Sequence, residues 1–268
     1  MPMPITLEAI AERTRETVDA SRRERPLSVL QDEVLVAPEP RPFFEAMTRD
    51  DGRVHVIAEC KRRSPSAGTI RDDFDPVDIA LQYENAGAVA ISCLTDEPFF
   101  GGSLADLSEI RGKSTLPILR KDFLVDAYQV WEARAAGADA ILLISELLES
   151  DQLGELVGLA DELGMASLIE LHGAEQLDSV LAHAGQGHLL GVNNRNLRTM
   201  TTDTNHILGM LDDLQPHLDS VVCESGIRTH EDIVRLQEHG LRNYLVGESL
   251  LRKPRPGAAL RSLIGGSD

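Results

Sequence analysis

Ionisable side chains stand at the ends of several short apolar segments of this chain. These segments end in IAECK, ILRKD, LIEL, GVNNRN and VCESG. The charged and amide side chains found there are Glu59, Lys61, Lys121, Glu170, Asn193, Arg195 and Glu224. Cations and carboxylates gathered in one pocket hold each other in defined protonation states, which proton-transfer chemistry requires. If the fold brings these segment ends together, we expect an acid–base site.

The apolar segments alternate with helical patterns from residue 54 to the C-terminus, which is typical of βαβ units. The predicted strands are 54–61, 88–94, 117–121, 138–144, 166–171, 188–193, 220–224 and 243–246. The predicted helices are 76–86, 103–111, 127–136, 150–163, 174–184, 205–214, 230–238 and 256–264. Eight strand–helix units predict an α/β protein of the (β/α)8 TIM barrel class. An open doubly wound sheet is the alternative, but its dinucleotide-binding form needs GxGxxG where this chain has ECKRRSPSAG.

A barrel would bring the charged strand ends to one mouth, where the active sites of such folds lie. On the first strand, the two-residue period places Glu59 and Lys61 on one face and Cys60 on the other. A single charge at a strand end is more often a solvated rim group or half of a structural ion pair. Several buried charges together cost several kcal/mol each, so the set indicates a function.

The first 53 residues do not follow the alternation. They predict one or two helices, over 7–22 and 43–49, joined by a Pro-rich stretch through APEPRP. We therefore expect residues 1–53 to form a helical extension that covers the barrel without being a separate domain. Residues 54–268 would form the catalytic barrel.

The loops after the seventh and eighth strands predict a phosphate site. They read ESGI and VGESLL, in the place where barrels commonly bind phosphate. Glycines there let backbone N–H groups approach an anion closely, although the same residues also suit ordinary tight turns. The candidate phosphate-binding residues are Ser64, Ser225, Gly226, Gly247, Glu248 and Ser249.

Composition excludes several classes of partner. The chain has 26 Lys plus Arg against 44 Asp plus Glu, and a net charge of −18 repels nucleic acid and anionic lipid. No apolar run approaches the roughly 20 residues of a membrane span.

The histidines lack zinc-ligand spacing, and Cys60, Cys93 and Cys223 are predicted to be small buried hydrophobes, so no metal is expected. We expect a cytoplasmic protein, monomeric rather than homodimeric.

The motifs VIAECKRRSPSAG, ISCLTDEPFFGGS, PILRKDFLVDAYQVWEARAAGADAILLI, GVNNRNL, ESGI and LVGESLL occur in this order between residues 54 and 251. Together they resemble indole-3-glycerol phosphate synthase of tryptophan biosynthesis. Two small departures are Cys60, where a branched aliphatic residue is usual, and the Arg pair after Lys61.

The resemblance implies ring closure of 1-(2-carboxyphenylamino)-1-deoxyribulose 5-phosphate to indole-3-glycerol phosphate, with loss of carbon dioxide and water and without a cofactor or metal. It implies that Lys121 is the general acid and Glu170 the general base, with Glu59 and Lys61 as neighbours. Asn193 is implied to orient the catalytic carboxylates. How Lys121 and Lys61 divide the acid work, or whether one of them forms a Schiff base, stays open.

The resemblance also implies the substrate-binding residues Arg195, Glu224, Phe99, Phe123, Leu142 and Leu197. The last four would form an apolar wall for the anthranilate ring, although core or lid packing explains them equally well. His172, two residues beyond Glu170, is expected to orient a neighbour or to lie on the rim. Other functions left open are a different phosphate-binding barrel enzyme, such as a sugar-phosphate isomerase, and a catalytically silent sensor.

Overall fold

Eight parallel strands close into a barrel in this computed structural model, which describes residues 6–65, 67–183, 187–196, 199 and 201–266. The barrel strands are β1 (His55–Cys60), β2 (Ala90–Leu94), β3 (Ile118–Lys121), β4 (Ala140–Ile144), β5 (Ala166–Leu171), β6 (Leu189–Asn193), β7 (Val221–Glu224) and β8 (Asn243–Val246). Each strand pairs with the next along the chain, and β8 pairs with β1. The predicted (β/α)8 barrel is confirmed, and the observed strands are up to two residues shorter at an end than predicted.

Three helices precede the barrel, and from β1 onward helices alternate with the strands on its outside. They are α1 (Leu7–Glu24), α2 (Leu27–Val36), α3 (Phe43–Thr48), α4 (Pro76–Ala86), α5 (Glu97–Phe100), α6 (Leu104–Arg111), α7 (Ala127–Ala136), α8 (Ser150–Glu162), α9 (Leu177–His183), α10 (Leu211–Leu214), α11 (His230–Gln237), α12 (Glu248–Leu251) and α13 (Pro256–Leu263). Short 3-10 turns occupy Ala174–Gln176, Ile207–Met210 and Gln215–Ser220. The predicted helix 205–214 was therefore wrong in type, because only its last turn is α-helical. The predicted end of helix 174–184 lies outside the described residues.

Apolar residues form two layers, one inside the barrel and one between strands and helices. On β1, Ile57 belongs to the interior layer, whereas Val56, Ala58 and Cys60 pack in the outer layer. Because side chains alternate along a strand, Glu59 shares the interior direction of Ile57. The three cysteines are buried and unpaired, as the sequence predicts.

The N-terminal segment contains one helix more than its sequence suggested. Between the two predicted helices lies α2, which places Leu30 in a buried cluster with Val18 of α1 and Tyr128 of α7. The Pro-rich character of the stretch masked this helix, although the prolines stand only at its edges. Phe43 and Met47 of α3 pack into the interior layer of the barrel. None of the helices built from the described residues has the length and apolar character needed to span a membrane.

Candidate active site

A cavity of about 660 Å³ opens at the carboxyl ends of the barrel strands. Most residues proposed from the sequence line it. These are Glu59, Lys61, Lys121, Phe123, Leu142, Glu170, Asn193, Arg195, Glu224, Ser225, Gly226, Gly247, Glu248 and Ser249. The cavity therefore gathers both cations and carboxylates, as the strand-end pattern predicted.

Glu59 and Lys61 form a buried ion pair at the end of β1. The Lys61 Nζ lies 2.5 Å from Glu59 Oε1. Burial alone would raise the pKa of Glu59, but the charges of Lys61 and Lys121 outweigh it and hold that pKa below its usual value. Glu59 is therefore an ionised carboxylate on the cavity wall.

Lys121, at the end of β3, lies between two buried carboxyl groups. Its Nζ is 3.3 Å from Glu224 Oε2 and 3.5 Å from Glu170 Oε2. Burial would lower the pKa of Lys121, but Glu224, Glu170 and Glu59 together raise it above its ordinary value. Lys121 is consequently protonated, and its ammonium group faces the cavity.

Glu224 differs from the other carboxyl groups of the cavity. Burial raises its pKa to about 8, against the opposing charge of Lys121 and with a further contribution from Glu170. Its Oε1 has no hydrogen-bond partner among the described residues. A Cβ atom at Gly191 would collide with this oxygen, so glycine on β6 makes room for the carboxyl group.

The segment after β6 carries Asn193 and Arg195 into the cavity. The Asn193 Nδ2 donates to Glu170 Oε1 at 3.0 Å, and its Oδ1 accepts from the Arg195 backbone N–H at 2.9 Å. The Arg195 guanidinium contacts Thr202 Oγ1 at 3.2 Å and lies 3.9 Å from Glu248 Oε2. Asn193 is thus held on both sides of its amide and fixes one oxygen of Glu170.

The loops after β7 and β8 form the other end of the cavity. Ser225 and Gly226 both have left-handed backbone conformations, with φ of 64° and 88°. Thr202 and Thr204 lie so close that a Cβ at Gly226 would contact their methyl groups. The Ser249 hydroxyl donates to the Ile227 carbonyl at 2.9 Å. The left-handed conformations give this end a tight turn beside the cavity, which is the backbone arrangement that a backbone-amide anion site uses.

Sequence reasoning missed three cations at this end. Arg228, Arg252 and Lys253 line the cavity, and Arg252 pairs with Glu248 at 2.9 Å. Each follows one of the predicted phosphate loops within six residues of its glycine, and this proximity was the available signal. Positive charge close to these loops is what an anion site requires.

Three proposed residues are not part of the observed lining. Ser64 is buried within the loop that follows β1, where its hydroxyl accepts from the Ala67 N–H at 3.1 Å. Phe99 packs edge-on against Phe123 at 6.3 Å between ring centroids, and Phe100 lines the cavity instead. Successive residues of a helix point about 100° apart, so the one-turn helix α5 turns only one of the two rings inward. Leu197 lies outside the described residues.

Among the side chains that the structure describes, no group of three or more His, Cys, Asp or Glu residues is arranged to hold a metal ion. The cavity presents lysine, arginine, carboxyl and amide groups. Paired acids and bases at a barrel mouth define the class of this protein: a (β/α)8 barrel enzyme built for proton transfer.

Comparison with known proteins narrows this class to one family. A model of the family described as indole-3-glycerol phosphate synthase matches residues 7–263. A protein of that name from Azoarcus sp. strain BH72 is 45% identical over 97% of this chain and 98% of its own length. Another, from Rhodopirellula baltica, is 47% identical over 96% of this chain and 98% of its own length. The chain belongs to the indole-3-glycerol phosphate synthase family, whose members are carboxy-lyases of tryptophan biosynthesis.

Solved structures of lower similarity agree on the fold. A 3-hexulose-6-phosphate synthase superposes with a TM-score of 0.60 at 15% identity, covering 78% of this chain and 97% of that one. A mutant tryptophan synthase alpha-subunit from Pyrococcus furiosus gives a TM-score of 0.60 at 17% identity, covering 80% and 99%. At such low sequence identity, these structural similarities support the barrel fold alone.

Proposed function

We propose that this chain converts 1-(2-carboxyphenylamino)-1-deoxyribulose 5-phosphate into indole-3-glycerol phosphate, carbon dioxide and water. Membership of the family supports the reaction. The observation that carries the residue assignment is the protonated Lys121 held between Glu170 and Glu224 inside the cavity. A partly buried cation with a proton to donate, next to a carboxylate that can take one away, suits ring closure followed by dehydration.

Lys121 acts as the general acid in this proposal. The anthranilate carbon that bears the carboxylate attacks the ribulose carbonyl carbon, and Lys121 donates a proton to the carbonyl oxygen, which becomes a hydroxyl group. Loss of carbon dioxide leaves its bonding electron pair in the ring and restores aromaticity. The high pKa of Lys121, set by its carboxyl neighbours despite burial, keeps the acid loaded before each turnover.

Glu170 acts as the general base in the dehydration. The ring must lose the new hydroxyl group as water and a proton from the adjacent carbon, which creates the second double bond of the five-membered ring. Glu170 accepts that proton, and Asn193 holds its other oxygen in place. The Glu59–Lys61 pair stands beside this site, and Lys61 is the second candidate donor for the departing hydroxyl group.

Binding groups occupy the two ends of the cavity. We assign the phosphate to the loops of Ser225, Gly226, Gly247, Glu248 and Ser249, through backbone N–H groups and the Ser225 hydroxyl, with Ser64 as a further member from the first loop. Arg195 and Glu224 orient the polar part of the substrate. The anthranilate ring is assigned to the apolar wall of Phe123 and Leu142, with Phe99 supporting the Phe123 ring edge-on and Leu197 as a further member.

We further propose that residues 1–53 act as a covering extension of the barrel rather than as a domain, and that the protein is a cytoplasmic monomer. The burial of Phe43, Met47 and Leu30 against barrel residues supports the first statement. Light scattering coupled to size-exclusion chromatography tests the second, with 29.3 kDa expected for one chain.

A fluorescence assay tests the reaction. Purified, EDTA-treated protein is mixed with the carboxyphenylamino-deoxyribulose phosphate, and indole emission is followed. We expect turnover by the wild-type chain and almost none by Lys121→Ala. Folded wild-type protein that binds the substrate without turnover would indicate a silent relative, and folded protein that does neither would contradict the proposal.

A further inference from the structure

Two histidines stack behind the segment that carries Asn193 into the cavity. His172 directly follows β5, and its ring lies on that of His206 with centroids 4.3 Å apart and planes 18° from parallel. Neither ring is among the described residues that line the cavity. Their contacts, rather than exposure to a ligand, indicate what they do.

Both ring nitrogens of His172 have defined partners. Nδ1 lies 2.9 Å from the Asn193 carbonyl oxygen, and Nε2 lies 3.2 Å from Asn196 Nδ2. A carbonyl oxygen can only accept, so Nδ1 carries the proton; an amide nitrogen can only donate, so Nε2 accepts. The Asn196 amide cannot flip freely, because its Oδ1 accepts from the Thr199 N–H at 3.0 Å. The surroundings therefore select the neutral imidazole with its proton on Nδ1.

This contact lies where the β5–β6 pairing ends. The register of the two strands ends with Leu171 opposite Val192, and one residue further His172 holds the carbonyl of Asn193. The side-chain nitrogen of Asn193 donates to Glu170. The imidazole thus ties down the main chain of the residue that orients the carboxylate of Glu170.

We propose that His172 is a positioning residue: its neutral imidazole fixes Asn193, and Asn193 in turn holds Glu170 in the orientation for proton abstraction. The inference rests on the proposed function, because turnover is one of its readouts. A carboxylate displaced by about 1 Å loses rate by as much as 10²-fold. Since His172 lies outside the cavity lining, substrate binding should not change.

Amide replacements separate the two contacts of the ring. In His172→Asn the amide nitrogen can occupy the place of Nδ1 and donate to the Asn193 carbonyl, whereas in His172→Gln it reaches the place of Nε2. We expect His172→Asn to keep kcat within about threefold of wild type, and His172→Gln to lower kcat about tenfold with KM changed less than about twofold. His172→Phe, which keeps the stack on His206 but has no donor, should resemble His172→Gln.

His206→Gln is the matched control, because its amide nitrogen can keep the bond that His206 Nε2 donates to the His172 main-chain carbonyl and it leaves the His172–Asn193 contact in place. Its kcat should stay within about twofold of wild type. An unchanged kcat in His172→Gln, an equal loss in His172→Asn, or an equal loss in His206→Gln would each overturn the inference.

A second readout does not depend on turnover. In ¹⁵N-histidine NMR of the whole protein at pH 7.5, His172 should show the neutral tautomer protonated on Nδ1. A proton on Nε2 alone, or a doubly protonated ring, would overturn the positioning role. If the wild-type chain failed to turn over the substrate but showed the expected tautomer, the proposed reaction would fail while the His172–Asn193 contact remained supported.

Discussion

Arg120 and Lys121 are consecutive cations of β3, the first buried and the second partly buried, with opposite surroundings. Arg120 points away from the cavity, toward α7, where its guanidinium lies 3.0 Å from Asp122 and 2.9 Å from Glu132 and donates to the Gln129 carbonyl at 2.8 Å. Lys121 points into the cavity, and its two carboxyl neighbours are 3.3 and 3.5 Å away. Both groups are charged, but only Arg120 has short bonds on every side.

The difference separates a structural ion cluster from a functional one. Arg120 uses its donors within the protein, because each buried polar group left unpaired would cost stability. Lys121 has loose contacts and Glu224 keeps one oxygen unpartnered among the described residues, so this cluster retains hydrogen-bonding capacity for a ligand. Charge and burial alone would not have distinguished the two.

Arg120→Leu should have the largest effect on stability. Removal of the guanidinium leaves the carboxylates of Asp122 and Glu132 buried without their cation, which costs about 3–5 kcal/mol of unfolding free energy. Urea denaturation measures this loss. The control Arg13→Leu removes an exposed ion pair with Glu16 and should change stability by less than about 1 kcal/mol. Equal effects of the two variants would contradict the structural role of Arg120.

Lys121→Ala should reduce catalysis more than stability, the reverse of Arg120→Leu. Loss of a general acid lowers kcat on the order of 10²-fold or more, whereas stability falls less than in Arg120→Leu, because Glu224, with its pKa raised to about 8, can hold a proton when the cation is absent. Lys113→Ala, at an exposed lysine, is the matched control and should leave kcat unaltered. Turnover close to wild type in Lys121→Ala would remove this residue from its assigned role.

Most of the fold could be predicted because its signals are local and repeated. Eight apolar segments separated by helical patterns match the eight strand–helix units of a closed barrel, so their number alone predicts the fold. The charged strand ends then indicate where the cavity lies. The helix α2 was missed because prolines on both sides of it resemble a loop, whereas its stability comes from the burial of Leu30 in tertiary contacts.

The candidate site was less predictable where the orientation of a side chain determines whether it lines the cavity. Phe99 and Phe100 are identical in type, and the choice between them depends on the orientation of one helical turn. Ser64 has the chemistry of a phosphate ligand, yet its side chain is buried and its hydroxyl accepts from the Ala67 N–H. The role of Glu224 as the carboxyl group with a strongly raised pKa depends on distances that no sequence pattern contains.

Gly226→Val should affect binding more than catalysis. A side chain at this position would push against Thr202 and Thr204 and would strain a backbone with φ of 88°, so the loop amides move away from the phosphate. We expect KM to rise about tenfold with a smaller change in kcat. Gly158→Val, on α8 with open space around it, controls for the added bulk. An unchanged KM in folded Gly226→Val would place the phosphate elsewhere.

Glu224→Gln should alter how stability depends on pH. The ordinary pKa of this carboxyl group is 4.5, and burial raises it to about 8 in the folded chain. Between these values the folded state holds a proton that the unfolded state has released, so this group makes stability fall as pH rises. Below about pH 4.5 both states are protonated, so the contribution is fully present and no longer changes with pH.

The window from pH 5.5 to 7.5 isolates this effect within the cluster. The lowered pKa of Glu59 acts below it and the raised pKa of Lys121 acts above it, so neither changes stability there. Across this window the unfolding free energy of the wild type, measured in urea, should decline more than that of Glu224→Gln, by on the order of 1 kcal/mol. Parallel profiles would mean that Glu224 is ionised in the folded chain. The Lys121 cluster would then contain no neutral carboxyl group, and its contrast with the fully hydrogen-bonded Arg120 cluster would be weaker.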